Sequence, residues 1–143
     1  MSSLGDLKRR GFVAIAAAPW AFSVRTQAAE AAPPERRFHD AALAMRELAL
    51  SWGDQPYGAV LVQGGRVVGD GPSRVVRNDD PNAHAEREAI RDAQRRLGRR
   101  DLGGSVLYST SRPCRACEAA AAAAGVARMV VGADLVDAGA PRR

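Results

Sequence analysis

Four residues of this chain have side chains that together suit metal chemistry: His84, Glu86, Cys114 and Cys117. Two thiolates and one imidazole are good zinc ligands, and three protein ligands leave the fourth tetrahedral position open for water, as in catalytic zinc sites. Glu86 is a poorer ligand than the thiolates and is better suited to move protons to and from that water. The pattern therefore predicts a Zn²⁺ site with His84, Cys114 and Cys117 as ligands and Glu86 as the catalytic acid and base.

The spacing predicts that these residues lie at the starts of two helices. Cys114 and Cys117 are three residues apart, so a helix that begins near Cys114 places both on one face. A helix N-terminus also lowers thiolate pKa values. Residues 80–82 (Asp-Pro-Asn) are typical of a turn and a helix cap. A second helix is therefore expected to open at His84, with Glu86 in its first turn.

The order of these residues resembles the cytidine and deoxycytidylate deaminase superfamily of zinc enzymes. The resemblance is carried by His84-Ala85-Glu86 and by residues 113–117 (Pro-Cys-Arg-Ala-Cys), which have the His-x-Glu and Pro-Cys-x-x-Cys pattern of zinc deaminases. It extends from about Phe38 to Gly132. The pattern is most similar to the purine-deaminating branch, the guanine deaminases and tRNA adenosine deaminases.

The resemblance implies zinc-dependent hydrolytic deamination of a free nucleobase or nucleoside, with release of ammonia. The base would be a purine such as guanine, or of the cytosine or cytidine type. By resemblance, backbone groups near Ala85 and the side chain of Ser73 lie at the base pocket. Ser73 stands where the family usually has an asparagine, and Pro72 beside it changes the backbone, so the identity of the base stays open.

A function of another class also stays open. A Cys-x-x-Cys pair in a chain with no other cysteine is often a redox pair, and a lone histidine at a helix start is often a surface or capping residue. The alternative to a deaminase is therefore a truncated, non-catalytic zinc-binding or thiol-redox protein.

The first 31 residues predict an export signal. Arg9 and Arg10 precede Phe12 and an apolar, alanine-rich run, which resembles a twin-arginine signal. The run is too short to span a bilayer comfortably, and small-x-Ala cleavage sites end at Ala28 and Ala31. We therefore expect a periplasmic protein without a stable membrane span after cleavage. An uncleaved anchor or a disordered basic tail is the alternative.

Charge gives little support for a nucleic-acid partner. The formal net charge of +5 falls to +3 when residues 1–31, with four basic and two acidic side chains, are excluded. The arginines of residues 87–100 alternate with Glu88 and Asp92, which indicates a solvated helix face. With a periplasmic location, a small molecule is the expected partner and nucleic acid is not.

The hydrophobic pattern predicts one α/β domain at residues 32–143. Apolar residues, among them Leu48 and Leu50, recur near helical spacing and predict a first helix at 38–52. The other predicted elements are strands at 57–63 and 66–68 around a Gly64-Gly65 turn, a helix from His84 to Leu97, a strand at 105–108, a helix from Cys114 and a strand at 128–131.

This order predicts a sheet covered on both faces, and the resemblance implies a three-layer α/β/α sandwich with a mixed sheet. The family continues after the fourth strand through a further helix and usually a fifth strand, whereas this sequence ends at Arg143. We therefore expect the chain to be short at its C-terminus, with an open sheet edge that a homodimer partner could cover.

Overall fold

The computed structural model describes residues 33–143, and the predicted export signal lies outside the described residues. Within them the elements are α1 (Pro34–Ser51), β1 (Gly58–Gln63), β2 (Arg66–Pro72), α2 (Ala85–Leu97), β3 (Val106–Ser109), α3 (Arg115–Ala123), β4 (Arg128–Val131) and β5 (Val136–Gly139). None of these helices is long and apolar enough to cross a membrane.

The five strands form one mixed sheet in the order β2-β1-β3-β4-β5. β1 pairs antiparallel with β2 and β3, β3 pairs parallel with β4, and β4 pairs antiparallel with β5. Gly64 and Gly65 form the predicted turn between β1 and β2, with φ values of 59° and 72°. A two-residue turn of this kind needs positive φ at both positions, which glycine adopts without strain.

Alternating side chains of the sheet build a core on each face. Ala59 and Leu61 of β1 pack with α2 and α3, whereas Val60 and Val62 pack with α1. Both faces of β1 are thus buried, which explains its continuous apolar sequence. The prediction of a three-layer α/β/α sandwich is confirmed.

The helix α1 begins four residues before its predicted start. Pro34 is tolerated there because a backbone N–H in the first turn of a helix has no acceptor within the helix, so the N–H that proline lacks is not needed. Leu48 and Leu50, which supported the helix prediction, are exposed, and Ala42 is fully buried instead. Gly58 of β1 lies directly against the carbonyl oxygen of Ala42, so the helix and the strand meet where the side chains are smallest.

The strand β5 corrects the prediction of an open sheet edge. The chain reverses after β4 through a turn in which Leu135 has a φ of 53°, and β5 then pairs antiparallel with β4. The strand was missed because it is short and lies at the surface, with Val136 and Asp137 exposed. The edge of β4 is paired within the chain, so an open edge is no longer a reason to expect a homodimer partner.

Candidate metal centre and adjoining cleft

The three predicted zinc ligands lie together at the starts of two helices. His84 is the N-cap residue of α2, Cys114 is the N-cap residue of α3, and Cys117 lies in the first turn of α3. His84 Nδ1 is 3.7 Å from Cys114 Sγ and 3.4 Å from Cys117 Sγ. All three ligand atoms lie within 4.8 Å of one another, and no second group of this kind occurs within residues 33–143.

This donor set fits zinc in kind and in spacing. Ordinary Zn–S and Zn–N bonds at a tetrahedral angle would separate the nitrogen from each sulfur by about 3.6 Å, close to both observed distances. Burial, and then the charge of Glu86, raises the pKa of the Cys117 thiol, so a thiolate there needs a bound cation. His84, Cys114 and Cys117 can therefore hold the predicted zinc ion.

Close packing between α2 and β2 positions His84. At Gly71 of β2, a Cβ atom would overlap the carbonyl oxygen of Ala85 and lie 2.7 Å from the amide nitrogen of Ala89. The helix can approach the strand so closely only because the residue at this position of β2 is glycine. Because His84 immediately precedes α2, this contact sets how far the imidazole lies from the two sulfur atoms.

Glu86 is buried beside the three ligands, with 5% of its surface exposed. The hydroxyl of Ser109, at the end of β3, donates a hydrogen bond of 2.9 Å to Glu86 Oε1. The same hydroxyl oxygen accepts from the amide of Ser111 at 3.4 Å, which directs its proton toward the carboxylate. Glu86 is not part of the group of three ligand atoms, and its role in proton transfer stays a prediction.

A cleft of 630 Å³ opens beside the metal centre and contains Glu86. That volume lies in the range of small-molecule sites. Its lining combines the N-terminal ends of α2 and α3 with the loops before β1 and after β3: Gln55, Pro56, Tyr57, His84, Ala85, Glu86, Ser111, Arg112 and Cys114. Ala85 is one of these lining residues, and its contact with a base stays a prediction.

Ser73 lies apart from this lining. Its side chain is fully buried, and its hydroxyl donates to Asp54 Oδ1 at 2.9 Å. Its contact with substrate stays a prediction, while its contact with Asp54 joins the loop after β2 to the loop before β1.

Asp54 is the centre of this loop contact. Besides Ser73, its carboxylate accepts hydrogen bonds of 2.8 Å from the backbone amides of Gln55 and Arg77. Burial alone would raise the pKa of Asp54, but the hydrogen bonds outweigh it and the pKa is lowered. The ionised carboxylate therefore holds the two loops together, and one of them continues into Gln55, Pro56 and Tyr57 of the cleft.

Ser109, Asp54 and Arg112 are residues near the site that were not predicted from the sequence. Ser109 and Asp54 act on residues 23 and 19 positions away, so no local spacing marks them. A signal existed for Arg112, because it directly precedes Pro113 and Cys114 of the ligand motif.

Known proteins that resemble this chain include members of a zinc-binding family. The family model described as the cytidine and deoxycytidylate deaminase zinc-binding region matches residues 33–133. A solved structure from a study of A-to-I editing by tRNA:A34 deaminases is 38% identical, with a TM-score of 0.65, and the match covers 67% of this chain and 70% of that chain. Guanine deaminase from Bacillus subtilis is 34% identical in its X-ray structure, with a TM-score of 0.63, and the match covers 68% of this chain and 62% of that chain.

A curated relative of similar sequence is the tRNA-specific adenosine deaminase of Agrobacterium fabrum. It is 42% identical over 100 residues, which are 68% of this chain and 65% of that protein. The match to the curated Bacillus subtilis guanine deaminase is 42% identical over 62 residues and covers 40% of that protein. This chain thus spans less than two thirds of both relatives.

Proposed function

Because the chain belongs to the family of the cytidine and deoxycytidylate deaminase zinc-binding region, we propose that it is a zinc-dependent hydrolytic deaminase. Its substrate would be a nucleobase, either free or carried on a nucleoside. The observation that supports this most directly is the position of Glu86. Its carboxylate is buried in a small-molecule cleft beside three zinc ligands, and Ser109 holds one of its oxygens.

The chain's own residues supply the proton transfers. Ser109 donates to Oε1 of Glu86 and holds the carboxylate in place, and the carboxylate takes a proton from the attacking water. When bound, zinc supplies the Lewis acidity that makes water a nucleophile near neutral pH. The water oxygen bonds to the ring carbon that carries the exocyclic amine, and Glu86 passes one proton to the ring nitrogen. The proton that remains on the added oxygen then passes through Glu86 to the departing ammonia as the C–N bond breaks, which leaves the oxo base and an ionised Glu86.

The cleft lining would bind the base. Tyr57 is 42% exposed at its rim, where its ring offers a flat apolar surface to an aromatic ligand. Ala85 is small and fully buried, so it leaves room for the base close to Glu86. Arg112 and Ser111 line the cleft on the side of α3.

We also propose that the reaction takes place in the periplasm. Arg9, Arg10 and Phe12 support this by their resemblance to a twin-arginine signal. That route is understood to carry folded proteins, so zinc could bind in the reducing cytoplasm. Bound zinc would then protect Cys114 and Cys117 from forming a disulfide after export.

The test combines metal analysis with ammonia release from one preparation of the folded protein. We expect about one zinc per chain, release of ammonia from at least one of guanine, adenine, cytosine or their nucleosides, and a lower melting temperature after chelation. Cys117→Ala should lose both the metal and the activity. Metal-free protein with a Cys114–Cys117 disulfide and no ammonia release would support the thiol-redox alternative instead.

A second candidate substrate is tRNA, because proteins called tRNA-specific adenosine deaminases are among the relatives. The same assay separates it from the first. Inosine formation in a tRNA, with no ammonia from any free base or nucleoside, would favour the second candidate.

A further inference from the structure

One wall of the metal cleft is the loop before β1, and Gln55 of this loop is half-buried. Of the described residues that line the cleft, only Gln55 carries a side-chain amide. Among residues 33–143, every hydrogen bond of Gln55 comes from its backbone. The amide is also not sealed from solvent, because the only fully buried side-chain N or O atom without a partner in this part of the chain is the Ser105 hydroxyl. The amide of Gln55 is therefore free to bind a ligand in the cleft.

The backbone of Gln55 is held from both sides. Its N–H donates to Asp54 Oδ1 at 2.8 Å, and its carbonyl oxygen accepts from the Tyr57 amide at 2.8 Å. Asp54 is itself fixed by the Ser73 hydroxyl and the Arg77 amide. A side chain on a fixed backbone loses less conformational entropy when it binds a ligand, so Gln55 is well placed to select among ligands.

The chemistry of the amide indicates what it would select. An amide offers a hydrogen-bond acceptor and a donor on neighbouring atoms, whereas the Tyr57 and Ser111 hydroxyls have one polar atom each and the Arg112 guanidinium only donates. A lactam, which is a ring carbonyl beside a ring N–H, presents the complementary donor and acceptor. Glutamine pairs with the edges of bases through two such hydrogen bonds. The amide of Gln55 therefore matches a lactam better than any other neutral group of the lining does.

We propose that Gln55 determines which bases the cleft accepts, by pairing its amide with the lactam of the base. This rests on the proposed function and adds a specificity-determining residue to it. In both guanine and cytosine the lactam leaves N3, a ring nitrogen next to the amine-bearing carbon, free to take the proton from Glu86. Adenine has an exocyclic amine but no carbonyl, so it would leave the amide only partly paired. The cleft should therefore favour amino bases that contain a lactam over adenine.

The experiment measures ammonia release by the zinc-loaded full chain from pairs of bases that differ only in the lactam. The pairs are guanine with 2-aminopurine and cytosine with 4-aminopyrimidine, and adenine is measured alongside. The bases of a pair also differ in intrinsic reactivity, so the quantity compared is the change of their kcat/KM ratio between wild type and variant. The variants are Gln55→Leu and Gln55→Glu. Gln94→Leu is the control, because Gln94 lies on α2 outside the cleft lining.

We expect the kcat/KM ratio of at least one pair to fall about tenfold or more in Gln55→Leu, as for the loss of two neutral hydrogen bonds. Gln55→Glu keeps the size of the side chain, but its carboxylate cannot donate to the carbonyl oxygen, so the ratio should fall as far. Gln94→Leu should leave the ratio unchanged. An equal loss with both bases of each pair would show that Gln55 only supports the loop, and it would overturn the proposal. So would unchanged ratios, or faster release from adenine than from either lactam base.

A binding measurement separates this proposal from the proposed function. Hypoxanthine and uracil contain a lactam, purine and pyrimidine contain none, and all four lack an exocyclic amine and are not turned over. Calorimetry should show tighter binding of hypoxanthine than of purine, or of uracil than of pyrimidine, and a smaller difference in Gln55→Leu. That result without ammonia from any base would retain the role of Gln55 and contradict the deaminase proposal. Ammonia release without a lactam preference that needs Gln55 would do the reverse.

Discussion

The buried Glu86 carboxylate is the residue on which catalysis would depend. Glu86→Gln keeps the size of the side chain and one oxygen acceptor for Ser109, so the fold and the zinc content should persist. Turnover should fall by about 10²-fold to 10⁴-fold, because the amide cannot take a proton from water. Steady-state ammonia release and elemental analysis of the same sample measure the two effects.

Glu47→Gln is the matched control, since Glu47 is an exposed residue of α1 and the substitution makes the same chemical change. Glu47→Gln should leave the turnover and the zinc content unchanged. Activity of Glu86→Gln near that of the control would contradict the mechanism, and loss of zinc would place Glu86 among the ligands.

In the proposed mechanism the hydroxyl of Ser109 would act through Glu86, which would make it a positioning group. Ser109→Ala removes its hydrogen bond to Glu86 Oε1, and we expect kcat to fall about tenfold while KM changes little. Ser109→Thr keeps the hydroxyl and should recover most of the loss. Ser105→Ala is the control, because Ser105 is equally buried but its hydroxyl has no partner among the described residues. A rise in KM with constant kcat would show that Ser109 contacts the substrate instead.

At the level of elements, the distance between α2 and β2 decides where His84 lies. Gly71→Ala would force a Cβ atom against the Ala85 carbonyl oxygen, which belongs to the helix backbone and cannot rotate away. We expect the free energy of unfolding to fall by about 1–3 kcal/mol or more and zinc affinity to fall with it.

Gly103→Ala serves as the control for this substitution. A Cβ atom at Gly103 would meet only the Asp101 side chain, at 3.2 Å, and that side chain can move. Chemical denaturation and zinc titration compare the two variants. Equal stability of the two variants would show that the close contact between α2 and β2 does not decide the stability of the fold.

The two loops held by Asp54 give a prediction about pH. Because hydrogen bonds lower the pKa of Asp54 in the folded protein, ionised Asp54 stabilises the fold at pH values above its unfolded pKa of about 4. This contribution should disappear as the pH falls through the lower, folded pKa.

Asp54→Asn places an amide where the backbone N–H groups need an acceptor. The substitution should lower the free energy of unfolding by about 1–3 kcal/mol at neutral pH. It should also flatten the acid side of the profile of stability against pH. Thermal melts of both proteins across the acid range measure this. Parallel profiles for the variant and the wild type would contradict the role given to Asp54.

At the scale of the whole molecule, the proposed export signal can be tested without disturbing the domain. Replacing Arg9 and Arg10 by lysine keeps the charge, but the twin-arginine route requires the guanidinium pair. We expect the variant to stay in the cytoplasm with its zinc bound, and cell fractionation followed by metal analysis measures both. Equal export of the two proteins would indicate a general secretory signal.

The sequence by itself determined which three residues could hold a metal ion and the order of the main elements. His84, Cys114 and Cys117 were predictable because donor chemistry is a property of residue type and because helix starts have local signals in capping residues. The first four strands and the turn at Gly64-Gly65 were predictable for a similar reason. An apolar run predicts a strand and a glycine pair predicts a turn, and each signal lies within a few adjacent residues.

Only the tertiary structure decided which distant residues support the site. Ser109 reaches Glu86 and Ser73 reaches Asp54 through the packing of separate elements, and Arg112 lines a cleft that exists only once α3 is in place. The polar strand β5 was likewise recognisable only from its pairing with β4. Local sequence signals report nearby backbone preferences, whereas these contacts depend on long-range packing that no short segment encodes.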